Sequence, residues 1–466
     1  MEKYLLDQLK KYSDSDVYPY HMPGHKRNAF HSLNKHIAEV DITEIDGFDD
    51  LNHPEDLYVD LQSRAAKAYK ADNAYFLVNG STVGILTAVS ALVPENGTLL
   101  TVRDAHKSVY NAACLHRVNL EYLKSSDVPG MSYPEAISAE AIATALKTSS
   151  PDAVLIVTPT YEGRYADVEA ISKVVHEKGI PLIVDCAHGA HLGILDGFPA
   201  NPISQGADVV ICSTHKTLPA LTQTGILLTS RRHFDYEKKI KMFLSMYQTS
   251  SPSYILTASI DNALRAGEDS SASRTYIENY KRLLSEIDAL KNIYVPVNDC
   301  RQDIGKLVLA VKDKKITGKD LYNTLLSEYK LQPEMAGDDY CLLMFSVNDK
   351  NEAYSRLFDA LKDIDAKLPD VKEMTKVSQN AKSGKTPLVS ACLRAKAAMP
   401  IYEAYNKDAE LISLDDSEGK ISSSFICAYP PGTPIVVPGE IIDSNVIKII
   451  KLKIEQNLTV QGVFYE

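Results

Sequence analysis

Between residues 74 and 230 the chain repeats one pattern, a short and largely apolar run followed by a stretch with helical periodicity. The runs fall at 74–78, 98–102, 153–157, 182–185, 208–212 and 225–229, and helical spacing covers 82–92, 107–116 and 167–178. Continuous apolar runs, as opposed to alternating ones, suit strands covered on both faces, and the intervening helices supply the cover. The expectation is a largely parallel α/β sheet. Asp167 reads as an N-cap and Gly179 as a C-cap of the third helix, which stops where Pro181 opens the next strand. In such a sheet the loops leaving the carboxyl ends of the strands are where chemistry collects.

The flanks differ. Residues 18–54 form a polar arm, dense in His, Gly and acidic side chains and without clear periodicity. Beyond the sheet, helical patterns at 236–247, 253–266 and 273–290 lead into a second set: strand 306–311, helix 318–329, strand 341–345 and helix 351–364. A Ser-, Asn- and Lys-containing stretch at 377–386 reads as a linker, and the last unit resumes at 388–405. The expected division is a loop-rich arm at 1–54, a large domain at 55–267, a small α/β domain at 268–376 and a C-terminal domain at 387–466.

Charge and cysteine usage narrow the possible partners. Lys and Arg total 50 against 61 Asp and Glu, a net charge of -11, which argues against a general phosphate-backbone binder. Nucleic acid is not expected. The seven cysteines stand singly, with no C-x-x-C pair, and read as reduced, buried thiols of a cytoplasmic protein. Residues 1–12 carry charges among their leucines and lack the apolar core of an export signal, and no apolar run approaches the ~20 residues of a membrane helix. Neither export nor membrane attachment is expected.

Four strand-end motifs carry the chemistry. Lys216 lies in Cys212-Ser-Thr-His-Lys-Thr217, just past an apolar strand. An amine at the rim of a buried sheet loses its charge more readily than a solvated one and can act as a nucleophile, although a strand-end lysine by itself is more often a solvated charge. Asn79-Gly-Ser-Thr82 is a strand-to-helix turn, where Gly80 permits close approach and Ser81 and Thr82 add hydroxyls to orphan N–H groups. Alone, it could equally be an ordinary helix start. Asp185 closes an almost wholly apolar strand and needs a cationic or hydrogen-bonding partner to offset its burial. Otherwise it caps the next turn. His106, in Arg103-Asp-Ala-His-Lys-Ser108, brings an imidazole to the same edge, either to stack on a flat ligand or to bond within its loop. His188 and His191 lack a convincing third ligand, so no metal is expected. A phosphate site, an aromatic face, an acid for a ring nitrogen and a lysine for an aldehyde are together the complements of pyridoxal 5′-phosphate (PLP).

The sequence also resembles the PLP-dependent ornithine, lysine and arginine decarboxylases of bacteria. The matching segments, in family order, are His21-Met-Pro-Gly-His-Lys26, Asp41-Ile-Thr-Glu-Ile-Asp46 with Asp49-Asp-Leu51, Gly80-Ser-Thr82, His106-Lys-Ser108, Pro159-Thr-Tyr-Glu-Gly163, Asp185-Cys-Ala-His-Gly189, Ser213-Thr-His-Lys216 and Tyr429-Pro-Pro-Gly432 with Pro438-Gly-Glu440. The resemblance implies a fold-type-I PLP-dependent transferase-like large domain with a mostly parallel sheet, plus smaller α+β C-terminal domains. It also implies the short form, without an N-terminal wing domain.

The implied activity is decarboxylation of a basic L-amino acid, arginine, lysine or ornithine, to the corresponding polyamine precursor and CO₂. By the resemblance Lys216 bonds the cofactor aldehyde, Asp185 pairs with the ring nitrogen and His106 stacks on the ring. Gly80, Ser81, Thr82, Ser213 and His215 surround the phosphate, and His188 lies near the ring oxygen or the substrate carboxylate. Asp46 and Glu440 are the acidic candidates for the distal cation of the substrate. A homodimer or higher even-numbered homo-oligomer is implied, with the arm around His25 and Lys26 and the loop 248–252 at its boundary. The alternatives are another fold-type-I PLP reaction, transamination or aldol cleavage, and a non-catalytic regulatory relative.

Overall fold

The computed structural model describes residues 14–21, 26, 40–45, 48–123, 125–233, 235–313, 315–368, 396–429, 434–455 and 459–462. A short strand β1 (Tyr18–Tyr20) is followed by helix α1 (Leu57–Tyr69), and the strand–helix alternation then begins. It runs β2 (Asn73–Leu77), α2 (Gly80–Leu92), β3 (Thr98–Val102), α3 (Lys107–Leu115), β4 (Asn119–Leu123), β5 (Ala153–Val157), α4 (Val168–His176), β6 (Leu182–Asp185), β7 (Val209–Cys212), α5 (Thr214–Thr217) and β8 (Gly225–Thr229). The seven strands from β2 to β8 form one sheet in the order β2-β8-β7-β6-β5-β3-β4. Only β8 runs against the others. The reading of the apolar runs is therefore confirmed, and β4 is the strand it overlooks. That edge strand carries Asn119 and Glu121 and is only partly buried, so it lacks the continuous apolar signature of its neighbours.

The central strands β6 and β7 are buried along their whole length. Each fully buried Val, Leu or Ile there contributes ~1.5–3 kcal/mol relative to exposure, so the sheet is a rigid platform for what leaves its edge. Helix α4 starts as expected, its Asp167 side chain accepting from the Ala170 amide at 3.0 Å. Helix α2 lies against the sheet through Gly84, where a Cβ would come within 2.8 Å of Ile211 and Leu77. This close approach draws the start of α2 toward the end of β7.

A second layer follows α6 (Ser270–Asp288): β9 (Ile293–Tyr294), β10 (Lys306–Val311), α7 (Gly318–Tyr329), β11 (Leu331–Pro333), β12 (Met335–Ala336), β13 (Cys341–Met344) and α8 (Asn351–Lys367). Strands β12-β13-β10-β9 form an antiparallel sheet, and β1 of the arm pairs in parallel with β11. The arm thus packs on the small domain of its own chain. Tyr20 is fully buried and donates to the Ala353 carbonyl at 2.6 Å. Lys26 is buried with φ at 52° and donates to the carbonyls of Met344 at 2.6 Å, Pro19 at 3.2 Å and His21 at 3.2 Å. Gln248, from the other expected boundary segment, is also buried and accepts from the Val78 amide at 2.9 Å. His25, Asp46 and the expected linker 377–386 lie outside the described residues.

The last unit contains β14 (Ile426–Tyr429), β15 (Pro434–Val436), α9 (Ser444–Glu455) and β16 (Thr459–Gln461), with the three strands ordered β15-β14-β16 over a small apolar core. Arg103 of the large domain fastens it. Its guanidinium donates to the carbonyls of Pro434 at 3.0 Å and Ile435 at 3.3 Å and pairs with Glu440 at 2.8 Å. Both members of the ion pair are at most 3 % exposed. Glu440 was a candidate for the substrate cation; the structure gives its carboxylate an internal guanidinium instead, and the Val437 amide donates to the same oxygen at 2.8 Å. Glu440→Ala is expected to cost about 3–5 kcal/mol by stranding the Arg103 charge, read as a lower urea midpoint.

The thiols also depart in part from expectation. Cys186, Cys212, Cys341 and Cys427 are buried, but Cys300 is exposed and Cys114 partly so. Cys300 lies in a turn between β9 and β10, where no apolar run carries it inward. Among the described residues no helix is long and apolar enough to cross a membrane.

Candidate active site

Strands β2, β3, β5, β6 and β7 share one direction, so the loops at their carboxyl ends meet along one edge of the sheet. Every motif singled out in the sequence between residues 79 and 216 leaves from that edge. The turn after β2 holds Gly80 at φ 74°, with its amide donating to the Gln223 carbonyl at 2.8 Å. Gly80 opens α2, and the next residue, Ser81, sets its hydroxyl 2.8 Å from that of Ser213 at the end of β7. Ser213 is fully buried, whereas Thr82 is exposed. Two hydroxyls and the amino end of a helix converge here, the arrangement that accepts a phosphate. His215 donates from Nδ1 to the Thr224 carbonyl oxygen at 2.8 Å, which fixes its tautomer when neutral.

After β3, His106 caps α3: its Nδ1 receives the Ser108 amide at 3.2 Å and meets the Ser108 hydroxyl at 2.8 Å. The residue is exposed to solvent. Partial desolvation, then the charges of Lys216 and Lys107, push this imidazole down to about 4. It is neutral at physiological pH and offers an uncharged ring face.

Asp185, at the end of β6, is 4 % exposed and accepts from the Ala187 amide at 3.1 Å. Burial pushes its carboxyl up, and the opposing pull of the Lys216 charge comes second. A buried carboxylate with so little hydrogen bonding is set up to take a cationic N–H. Lys216 follows β7 in α5, and its ammonium is depressed by burial, with Asp185 and Glu334 pulling the other way.

Lys216 Nζ lies 3.2 Å from His188 Nε2, and the opposite nitrogen of that ring, Nδ1, lies 2.6 Å from Nζ of Lys306. Lys306 opens β10 and is 1 % exposed, so the small domain contributes a second lysine to the site. Tyr161, after β5, sets its ring 4.7 Å from that of His188 and its hydroxyl on Glu334, between β11 and β12. The sequence reading overlooked Lys306 and Glu334. The signal for Lys306 was a charged residue at the head of a continuous apolar run, the same anomaly that drew attention to Asp185.

Transamination on this fold calls for an arginine that clamps the substrate carboxylate, and Arg164, beside the site, is not open to substrate. Its guanidinium is 1 % exposed and locked between Glu135 at 3.0 Å and Asp299 at 2.8 Å.

An amine on a short helix, an acid at the neighbouring strand end, a neutral ring face and paired hydroxyls at a helix start match an aldehyde, a ring nitrogen, a planar ring and a phosphate. The donor set fits PLP. The arrangement, on a mostly parallel seven-stranded sheet with a smaller domain over its edge, defines a fold-type-I PLP-dependent enzyme. The solved lysine decarboxylase LdcF of Francisella novicida superposes with a TM-score of 0.76 at 18 % identity, covering 98 % of this chain and 78 % of that one. An alanine–glyoxylate aminotransferase from Nostoc sp. gives a TM-score of 0.58 at 16 % identity, covering 78 % and 97 %.

The sequence comparisons are narrower. The major-domain model of the Orn/Lys/Arg decarboxylases matches residues 4–351 and their C-terminal domain model matches residues 392–461. The chain belongs to the Orn/Lys/Arg decarboxylase family, as its motifs implied, and is an amino-acid decarboxylase acting on basic substrates. An arginine decarboxylase of Bacillus anthracis is 29 % identical over 98 % of this chain and 94 % of its own length.

Proposed function

We propose that this chain uses PLP at the described edge to decarboxylate L-arginine in preference to lysine or ornithine. The observation that carries the cofactor site is the pairing of Lys216, 3.2 Å from His188, with the buried Asp185 at the adjacent strand end. The choice of arginine is supported by the likeness to the Bacillus anthracis arginine decarboxylase, which spans 98 % of this chain.

Lys216 is the amine that bonds the cofactor aldehyde. Ser81 and Ser213, the first-turn amides after Gly80, Thr82 and His215 hold the phosphate, and His106 lies against the ring. When bound, the cofactor supplies a conjugated ring that takes up the electron pair left as CO₂ departs. Asp185 holds a proton at the ring nitrogen, because its carboxylate gains a cationic partner that offsets its own burial. The side chains around the site would have to set the torsion of the substrate's Cα–carboxylate bond so that the electron pair could reach the bound cofactor. His106, neutral well below pH 7, is a poor source of the proton that must then reach Cα, and the Lys216 amine, once freed from the aldehyde and protonated, would be the donor.

We further assign the large domain to 55–267, the small one to 268–376 and the C-terminal one to 387–466, in a cytoplasmic homodimer that feeds polyamine synthesis. The test is to incubate PLP-loaded protein separately with arginine, lysine and ornithine and to measure CO₂ and the matching amine. Arginine is expected to give the largest kcat/KM. CO₂ from none of the three would remove the substrate assignment, and an α-keto acid in place of CO₂ would point to transamination.

A further inference from the structure

The contacts around His188 impose a proton count. A neutral imidazole carries one N–H and one lone pair, so it can donate to one lysine amine and accept from the other. His188 is held neutral first by burial, and the charge of Lys306 acts in the same direction. Lys216 at Nε2 and Lys306 at Nδ1 therefore cannot both donate to it, and one of the two amines must accept.

The geometry distinguishes them. The contact to Lys306 is the shorter, 2.6 Å against 3.2 Å, as befits a charged donor. Lys306 Nζ also has a second acceptor, the Met344 sulfur at 3.4 Å, and lies 5.5 Å from the centre of the Tyr161 ring. Burial pulls the Lys306 ammonium down to about 8, with Lys216 acting the same way and Asp303, Glu334 and Glu162 opposing, so it still holds its proton at neutral pH. Burial also lowers the Lys216 ammonium, with Asp185 and Glu334 opposing, so the contact geometry is what separates the two amines.

We propose that Lys306 is a positioning residue: it keeps its own proton, donates to Nδ1 of His188, and so turns the Nε2–H of that ring toward Lys216, whose amine must then be neutral. A fixed cation on the small domain thereby prepares a nucleophile on the large one, through a single imidazole. Lys306 acts through His188, and the repulsion between its charge and Lys216 works in the same direction. The small domain is thus part of the chemistry as well as a cover for the sheet edge, because the large domain alone would leave His188 without the partner that sets its tautomer. The inference rests on Lys216 being the cofactor-bonding amine.

The test uses the cofactor-free full chain. Its lysines are pulse-labelled with acetic anhydride from neutral to strongly alkaline pH, and Lys216 is followed by peptide mass spectrometry. In Lys306→Met the repelling charge and the tautomer constraint are both gone, so the half-labelling pH of Lys216 is expected to rise by about one unit, or roughly ten-fold slower labelling at neutral pH. An unmoved or lowered half-point in a folded variant overturns the proposal. A second measurement needs no variant: ¹⁵N imidazole shifts of His188 in the unsubstituted chain should report the Nε2–H tautomer, and Nδ1–H overturns it. Borohydride reduction of the PLP-loaded chain checks the underlying reading separately, since a chromophore fixed elsewhere than Lys216 sinks that reading whatever the labelling curve shows.

Discussion

Lys216→Ala is expected to lower kcat by on the order of 10⁴-fold or more, the scale at which a catalytic side chain acting as part of a unit is lost. Alanine removes the amine at the end of β7 that can form a C=N bond to an aldehyde. The accompanying signature is physical as well as kinetic: borohydride should fix a chromophore on the peptide containing residues 213–217 of the unsubstituted chain and on no peptide of the variant. Lys216→Arg should fail in the same way, since a guanidinium keeps its charge in any protein environment and is no nucleophile. Substantial activity in either variant would remove the assigned amine. The substitution should be mild for stability, because Lys216 is only partly buried and, among the described residues, its amine has one hydrogen-bond contact, at 3.2 Å to His188.

Asp185→Asn should lower kcat by about 10²- to 10³-fold, equivalent to about 2.7–4 kcal/mol, with a much smaller change in KM. The amide fills the same space and can still accept from the Ala187 amide, so cofactor binding should survive. It cannot carry the negative charge that keeps a proton on a ring nitrogen, and the electron demand of the ring falls with that proton. The split between kcat and KM is the informative readout. A proportional loss in both would make Asp185 a binding residue only, and an unchanged kcat would remove it from the chemistry.

Lys216, Asp185, His106 and the turn at Gly80 could be found in the sequence because each belongs to a local pattern, a polar residue immediately past an apolar run. The run fixes the strand, the strand fixes the edge, and parallel strands bring their carboxyl ends together. The same reasoning has nothing to work on at β4, where Asn119 and Glu121 interrupt the apolar signature of a partly exposed edge. Glu440 shows a different failure. Its chemistry suited a substrate cation, but the guanidinium that occupies it comes from 337 residues away.

What the chain dictated by itself was the parallel sheet, the edge that carries the loops and the placement of Lys216, Asp185 and His106 along it. These follow from side-chain burial along single strands and need only short-range information. Tertiary structure alone decided that Lys306 reaches His188 across 118 residues of chain, that the arm strand β1 pairs with β11, and that Arg103 takes Glu440. Such pairings depend on how separately formed units dock, because a buried charge is settled by whichever opposite or hydrogen-bonding group the packing brings within about 3 Å of it.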